Sequence, residues 1–595
     1  MMKAIKSLFC IMLSAIMVFS CTSAAYAAND VTPVIVVHGL GGFPLYVNPN
    51  TDGQKEAYSF DVLSLLGKNN DALHAVRDAA TGKIKTKKQI KAFIKEAAKV
   101  MEDYTTIACD KDGNSIHNVG IDSYWTDSMA KHKDYIASEG SSEPAITRQI
   151  ADAVGPKNVY CFNYDWRLDA YDNGEKLDKF IDIVKKETGK DKVTLIGGSE
   201  GTIVVSAYVD KHKNDNELER VVYLNGAITG VSVTCVYAMD VTTTAKILAD
   251  YMDMIFNTYK TDTLDMSKLA WLSQTTGETT KNLETLFKTI MSDKELTKMM
   301  FMDAFYPVFG CIPAYWEFIP YDFYDTAVKK MSGIGFLDKK SGLYDRIKRW
   351  HGIQGRAASN IKYLQKKGVD VAVIANYGYS AIPVTSQYAN QTDVLIDTKY
   401  ASVGATTADY GKTLPSSKTK NNKYASPDEI IDASTCATPD TTWFVKGVGH
   451  MHFDYNTEAC KFVAVITTTT KKLNVASIKK AYGYDQFIGT NDKQGIVEIK
   501  PSFSTKVKSL KTGKKAIKVT LKKAKDVAGY QIEYSKNSDF SKSKKVKIKG
   551  YKTTKKTIKK LKKGTEYFVR VRAYKTVAGK KLYSDWSSAE SIKVK

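Results

Sequence analysis

From residue 32 to residue 224, short apolar runs alternate with stretches whose apolar positions recur at helical spacing. Thr32-Pro33-Val34-Ile35-Val36-Val37 is continuous and β-branched, as a strand covered on both faces must be, and it runs into His38-Gly39-Leu40-Gly41-Gly42. Residues 88–102 and 146–154 carry helical patterning, and Asn158-Val159-Tyr160-Cys161-Phe162 predicts a second strand, ending at Asn163-Tyr164-Asp165-Trp166-Arg167. In 168–188 the positions Leu177, Phe180, Ile181, Ile183 and Val184 predict a helix, with Gly189 as its stop signal. Lys192-Val193-Thr194-Leu195-Ile196 predicts a strand leading into Gly197, residues 202–209 a helix, and 219–224 another strand that ends at Asn225-Gly226. This alternation predicts a parallel sheet with helices on both faces.

Between about 230 and 360 the alternation lapses into long, aromatic-rich segments, among them Pro313-Ala314-Tyr315-Trp316-Glu317-Phe318-Ile319-Pro320. An apolar insertion of that size predicts a cap over the site, and extra core helices are the competing reading. Val369–Ala375 restores the sheet, and Thr442-Trp443-Phe444-Val445 is expected to be its last strand. From about 503 the pattern switches to period two. Ala516–Leu521, Gly529–Ser535, Lys545–Ile548 and Tyr567–Tyr574 read as strands separated by turn residues, the signature of an all-β sandwich. Leu561, Gly564-Thr565-Glu566-Tyr567 and Tyr583-Ser584-Asp585-Trp586-Ser587 give this segment a pattern that resembles a fibronectin type III domain. Residues 471–502 are expected to be a linker.

Length and composition fit this division. At 595 residues with 43% hydrophobic, the chain can bury a large core and an accessory module. Residues 1–27 read as a signal peptide, with basic Lys3 and Lys6, an apolar stretch and the small-x-small site Ala25-Tyr26-Ala27, so the mature protein is expected to be secreted or attached to the cell surface. A competing reading makes Cys21 the acylated first residue of a lipoprotein. Six cysteines follow the signal, Cys109, Cys161, Cys235, Cys311, Cys436 and Cys460, and their wide spacing excludes a compact zinc knuckle or a Cys-x-x-Cys redox pair. An exported location permits disulfides, and buried thiols are the alternative. Residues 501–595 hold 29 Lys+Arg against 6 Asp+Glu, while residues 1–500 hold 58 of each sign, so the net +23 belongs wholly to the tail. Such a tail predicts attraction to an anionic cell-surface polymer or membrane surface, with no nucleic-acid role for an exported chain.

The chemistry centres on Gly197-Gly198-Ser199-Glu200-Gly201. A serine nucleophile on a sharp strand-to-helix turn needs neighbours without side chains and a helix N-terminus behind it, and both are expected here. The oxyanion of an acyl transfer needs two donors, expected from the N–H of Glu200 and from that of Leu40, with Gly41 as the fallback. His38 is read as structural. The general base should follow the last strand of the sheet, and of eight histidines only His450 and His452, in Lys446-Gly447-Val448-Gly449-His450-Met451-His452, do so. His450 is the expected base and His452 the alternative. The acid should lie in the loop after 369–375, where Thr392-Asp393-Val394-Leu395-Ile396 makes Asp393 the choice and Asp397 its rival, Asp370 being at the wrong end of its strand. No metal or other cofactor is required.

With Tyr164-Asp165-Trp166-Arg167 one helix and one strand before the serine, residues 33–470 resemble the lecithin:cholesterol acyltransferase-like α/β-hydrolases. The resemblance implies an α/β-hydrolase fold over 28–470 and lipid acyl-ester hydrolysis or O-acyl transfer by Ser199, Asp393 and His450. It implies a structural role for the Tyr-Asp-Trp-Arg motif, with Asp165 and Arg167 paired. Gly198 stands where the family commonly has His, and the His38–Gly42 loop is closer in form to that of bacterial lipases. An esterase for a non-lipid substrate and a non-catalytic surface adhesion protein are the alternative functions.

Overall fold

The computed structural model describes residues 31–57, 70–102, 104–139, 142–234, 241–242, 245–246, 249, 277–380, 390–451, 453, 456–491, 495–525, 527–577 and 580–595. The expected signal peptide, Cys235 and His452 lie outside these residues.

The first body is built on an eight-stranded sheet. Its strands are β1 (Val34–Val37), β2 (Val159–Phe162), β3 (Val193–Gly198), β4 (Leu218–Leu224), β5 (Asp370–Tyr377), β6 (Thr442–Lys446), β7 (Phe487–Thr490) and β8 (Ile496–Val497). They lie in the order β8-β7-β6-β5-β4-β3-β1-β2, and every neighbouring pair is parallel except β7 and β8. The central runs are mostly apolar because both faces are covered. One face sends Ile35, Val37, Tyr160, Phe162, Leu195, Val221 and Val373 into one core, and the other sends Val34, Val36, Cys161, Ile196, Val222, Ile374 and Trp443 into a second.

Helices cover both faces, among them α1 (Ser142–Val154), α2 (Ala170–Thr188), α3 (Gly201–His212), α4 (Gly342–Lys366) and α5 (Thr457–Thr468). α2, α3 and α4 bury Leu177, Phe180, Val204, Tyr208, Ile361 and Leu364 on the first face, and α1 and α5 bury Ile146, Ile150, Phe462 and Val463 on the second. α2 starts on Asp169, whose carboxylate accepts the Tyr171 and Asp172 N–H groups, and ends on Gly189 at φ +66°. Arg220 on β4 donates to the carbonyls of Ile466, Thr467 and Thr469, satisfying the C-terminal carbonyls of α5.

Two expectations need correction. The sheet does not end at Thr442–Val445, because the supposed linker 471–502 supplies a helix at Val475–Tyr482 and strands β7 and β8, with Ile478 and Ile488 buried in the second core. The expected 230–360 insertion is also not a single unit. α4 belongs to the covered sheet, whereas Gly277–Ser292, Lys294–Met299 and Met300–Phe305 pack with Asn70–Ala80 and Lys87–Glu102 around a separate core of Ile90, Phe93, Leu283, Phe287 and Ile290.

The second body is a β-sandwich. β9 (Val507–Gly513), β10 (Ala516–Leu521) and β13 (Lys555–Lys559) form one antiparallel sheet. β12 (Lys544–Lys549), β11 (Gly529–Ser535), β14 (Glu566–Val577) and β15 (Lys580–Tyr583) form the other, with β16 (Glu590–Lys593) pairing β14. Ile517, Val519, Tyr530, Ile532, Ile558, Val569 and Val571 fill its core. At the junction, Glu429 accepts from Ser502 Oγ at 2.6 Å and from the Lys575 ammonium, and Lys500 pairs with Asp585 at 2.8 Å.

Candidate active site

β3 ends at Gly198 and α3 begins at Gly201, so Ser199 and Glu200 make the whole turn. Ser199 takes φ +51°, a left-handed conformation that is strained for a residue with a side chain and persists only where its surroundings hold it. Gly201 explains how it is held. A Cβ there would lie 2.3 Å from the Val37 carbonyl and 2.6 Å from that of His38, so only glycine lets α3 start against the end of β1. The Ser199 N–H donates to the Leu224 carbonyl at 3.0 Å, tying the turn to β4 as well.

Ser199 Oγ lies 2.9 Å from His450 Nε2, and His450 Nδ1 lies 2.8 Å from Asp393 Oδ2. Three side chains separated by up to 251 positions thus form one hydrogen-bonded series at the C-terminal ends of parallel strands. The carboxylate can only accept, so Nδ1 carries the proton and Nε2 is free to accept the serine hydroxyl. Asp393 is oriented by its other oxygen, which accepts the Leu395 and Ile396 N–H groups at 3.0 and 2.7 Å. Its rival Asp397 turns elsewhere, accepting from the Ser232 N–H at 2.9 Å. Asp370 begins β5 and pairs with Arg220, at the opposite end of that strand from the loop holding Asp393. The His450 loop leaves β6 through Gly447 at φ +88°, and Asn376 at the end of β5 donates to the Val448 carbonyl at 3.2 Å. Asn376 is a site-building residue that the sequence alone did not point to.

The His38–Gly42 loop lies directly against the serine, since a Cβ at Gly39 would come within 2.9 Å of Ser199 Cβ. The Gly42 N–H closes a turn on the Gly39 carbonyl at 3.1 Å, with Gly41 at φ +73°. The amides of Leu40 and Glu200 are not engaged by any other main-chain oxygen among the described residues. His38 is buried and stacked on Tyr164 at 4.3 Å, its Nδ1–H donating to the Gly39 carbonyl at 2.7 Å and its Nε2 accepting from the Tyr164 N–H. Burial holds it neutral by lowering its pKa to about 4, so it serves as a brace for the loop.

Two carboxyls flank the turn. The Glu200 side chain is buried, and burial followed by nearby Glu317, Asp165 and Glu143 pushes it well above the ordinary range. Glu143, in the first turn of α1, is partly buried and accepts the Gly39 N–H at 2.6 Å. Burial raises its pKa to about 7 against the opposing pull of that N–H and of His450. The Tyr164–Arg167 motif sits behind the loop. Arg167 pairs with Asp165 at 2.6 Å and donates to the carbonyls of Ile107 and Val119, and Trp166 is buried edge-on to Tyr315.

The thioether of Met451 packs directly on Gly198, its Cε 2.9 Å from where a Cβ would stand. Cys109, Cys161, Cys311, Cys436 and Cys460 are buried thiols with no disulfide among the described residues. A cleft of about 1120 Å³ at the junction of the two bodies, lined by Lys420, Tyr484, Phe503, Tyr551 and Lys581, includes none of the three hydrogen-bonded residues.

Residues 503–590 match the fibronectin type III domain family. No curated protein matches the chain in sequence. Among solved structures, the chicken CNTN1 FN1-FN3 domains are 24% identical with a TM-score of 0.13, over 14% of this chain and 30% of that one. The fn3 domain of human contactin 1 is 20% identical with a TM-score of 0.15, over 18% of this chain and 93% of that one. A chain of the Tle4-Tli4 complex is 9% identical with a TM-score of 0.30, over 73% of this chain and 98% of that one.

Proposed function

We propose that this chain, in which residues 503–590 form a fibronectin type III domain, is a secreted or cell-surface serine acyl-ester hydrolase or O-acyltransferase of α/β-hydrolase type that acts on lipids. The observation that carries the reading is the series Ser199 Oγ, His450 and Asp393, closed at 2.9 and 2.8 Å. In this reading His450 Nε2 takes the proton as Ser199 Oγ attacks the acyl carbonyl. The Leu40 and Glu200 N–H groups face the developing oxyanion, and Asp393 stabilises the imidazolium. Collapse expels the alcohol, which takes its proton from His450. Water, or a second alcohol, then repeats the sequence on the acyl-serine. Lipid specificity rests on the resemblance to the lecithin:cholesterol acyltransferase-like enzymes and on the apolar helices inserted after β4.

A fluorophosphonate probe tests the chemistry. The protein is expected to be labelled and Ser199→Ala not to be, and an unlabelled protein, or labelling that survives the substitution, would overturn the proposal. On p-nitrophenyl esters, kcat/KM should rise with chain length, and a preference for acetate would remove the lipid from the reading. The surplus of lysine on the sandwich supports a tether to an anionic polymer or membrane surface.

A further inference from the structure

The most sharply placed group that the proposed chemistry does not use is the carboxyl of Glu143. A glycine-rich turn offering an oxyanion donor is flexible by composition, and its N–H groups point usefully only if something outside the turn fixes its peptide planes. Here one peptide is held at both polar ends. The His38 carbonyl accepts the Tyr164 hydroxyl at 2.7 Å, and the N–H of the same peptide unit, on Gly39, donates to Glu143 Oε1 at 2.6 Å. The fit is close, because a Cβ at Gly42 would stand 2.7 Å from Glu143 Oε2. The next amide along is that of Leu40.

The groups that face the carboxyl are His38 in the loop, Tyr135 in Lys133–Ala137, Cys161 on β2, Tyr164 after it, Glu200 in the nucleophile turn, and His450. Burial lowers His38 and raises Tyr135, Cys161, Tyr164 and Glu200, each away from its charged form, and His450 is the neighbour whose charge opposes the rise of Glu143.

We propose that Glu143 is a positioning residue of the acyl-transfer site, fixing the 38–39 peptide plane so that the Leu40 N–H meets the oxyanion. The inference rests on the serine-hydrolase reading. The carboxyl titrates around about 7, so its charge is complete above that pH and lost below it, and the rate should rise with pH through that window.

The test compares the full-length protein with Glu143→Ala and Glu143→Gln on one soluble ester from about pH 5 to 9. The alanine variant should lose about tenfold or more in kcat with KM changed less than about twofold, a fraction of what loss of a whole oxyanion donor costs. The glutamine variant keeps an acceptor for Gly39 but no charge. It should recover most of kcat at about pH 8 and lose the part of the pH dependence that ionisation of the Glu143 carboxyl supplies. Alanine and glutamine variants with the kcat and pH profile of the unaltered protein would overturn the proposal, as would equal losses in both accompanied by lowered melting temperatures. Failure of the unaltered protein to react with a fluorophosphonate would overturn this inference together with the hydrolase reading. A labelled protein indifferent to Glu143 would overturn this inference alone.

Discussion

Asp393 and Asp397 are four residues apart, both buried, and only one reaches the histidine. What separates them is a turn in which Val394 takes φ +92° while the Leu395 and Ile396 amides close on Asp393. The sequence pattern of an aspartate three residues before an apolar one is the trace of that turn, since Ile396 is buried and anchors it. Asp393→Asn should therefore lower kcat by about 10³ to 10⁴, because an amide can hold His450 in the wrong tautomer. Asp397→Asn should leave kcat within about threefold and act on stability through the Ser232 contact, a cost of about 1 kcal/mol. Steady-state kinetics beside urea denaturation separates the two effects. Glu143 was not legible in the same way. A glutamate in the first turn of a helix is an ordinary complement to the helix dipole, and nothing in its neighbours in sequence points to a loop 104 residues earlier.

At the level of elements, the strands from 34 to 224 were legible because each is a short apolar run between turn residues, the pattern that two-sided burial imposes. β7 and β8 were not, because Gly489 and Thr490 cut the apolar run of Phe487–Thr490 to two residues and Ile496–Val497 has only two, so both gain their place by pairing. α4 falls within the lapse between 230 and 360 because helical periodicity is silent about which layer a helix covers. The Tyr164–Arg167 motif works between elements. Arg167 is fully buried and joins the end of β2 to residues 107–119 through its carboxylate partner and two carbonyls. Removing it as Arg167→Ala strands Asp165 and both carbonyls in the interior, which should cost about 3 to 5 kcal/mol. Arg167→Lys should recover part of this, since the ammonium keeps the charge and loses the fork geometry. Midpoints of guanidinium unfolding would measure both, and a loss under about 1 kcal/mol for alanine would contradict the structural role.

Across the whole molecule, charge is divided as sharply as fold. The body up to residue 500 is balanced, and the sandwich carries the excess. Binding of the full chain to vesicles containing anionic lipid should fall steeply between about 0.05 and 0.5 M salt, where the screening length shrinks to a few ångströms. Binding that ignores salt would count against an electrostatic tether. The junction gives this division a further consequence. Opposed bodies of unequal charge form a large electric moment, so a molecule nearing an anionic surface is turned before it lands. On the proposed electrostatic tether, Glu429, gripping Ser502 and Lys575, would convert that turning into a fixed heading for Ser199. Glu429→Ala should leave capture by the surface and hydrolysis of a soluble ester unchanged. Hydrolysis of an ester presented in the surface should drop, because the landing would no longer decide which way the serine faces.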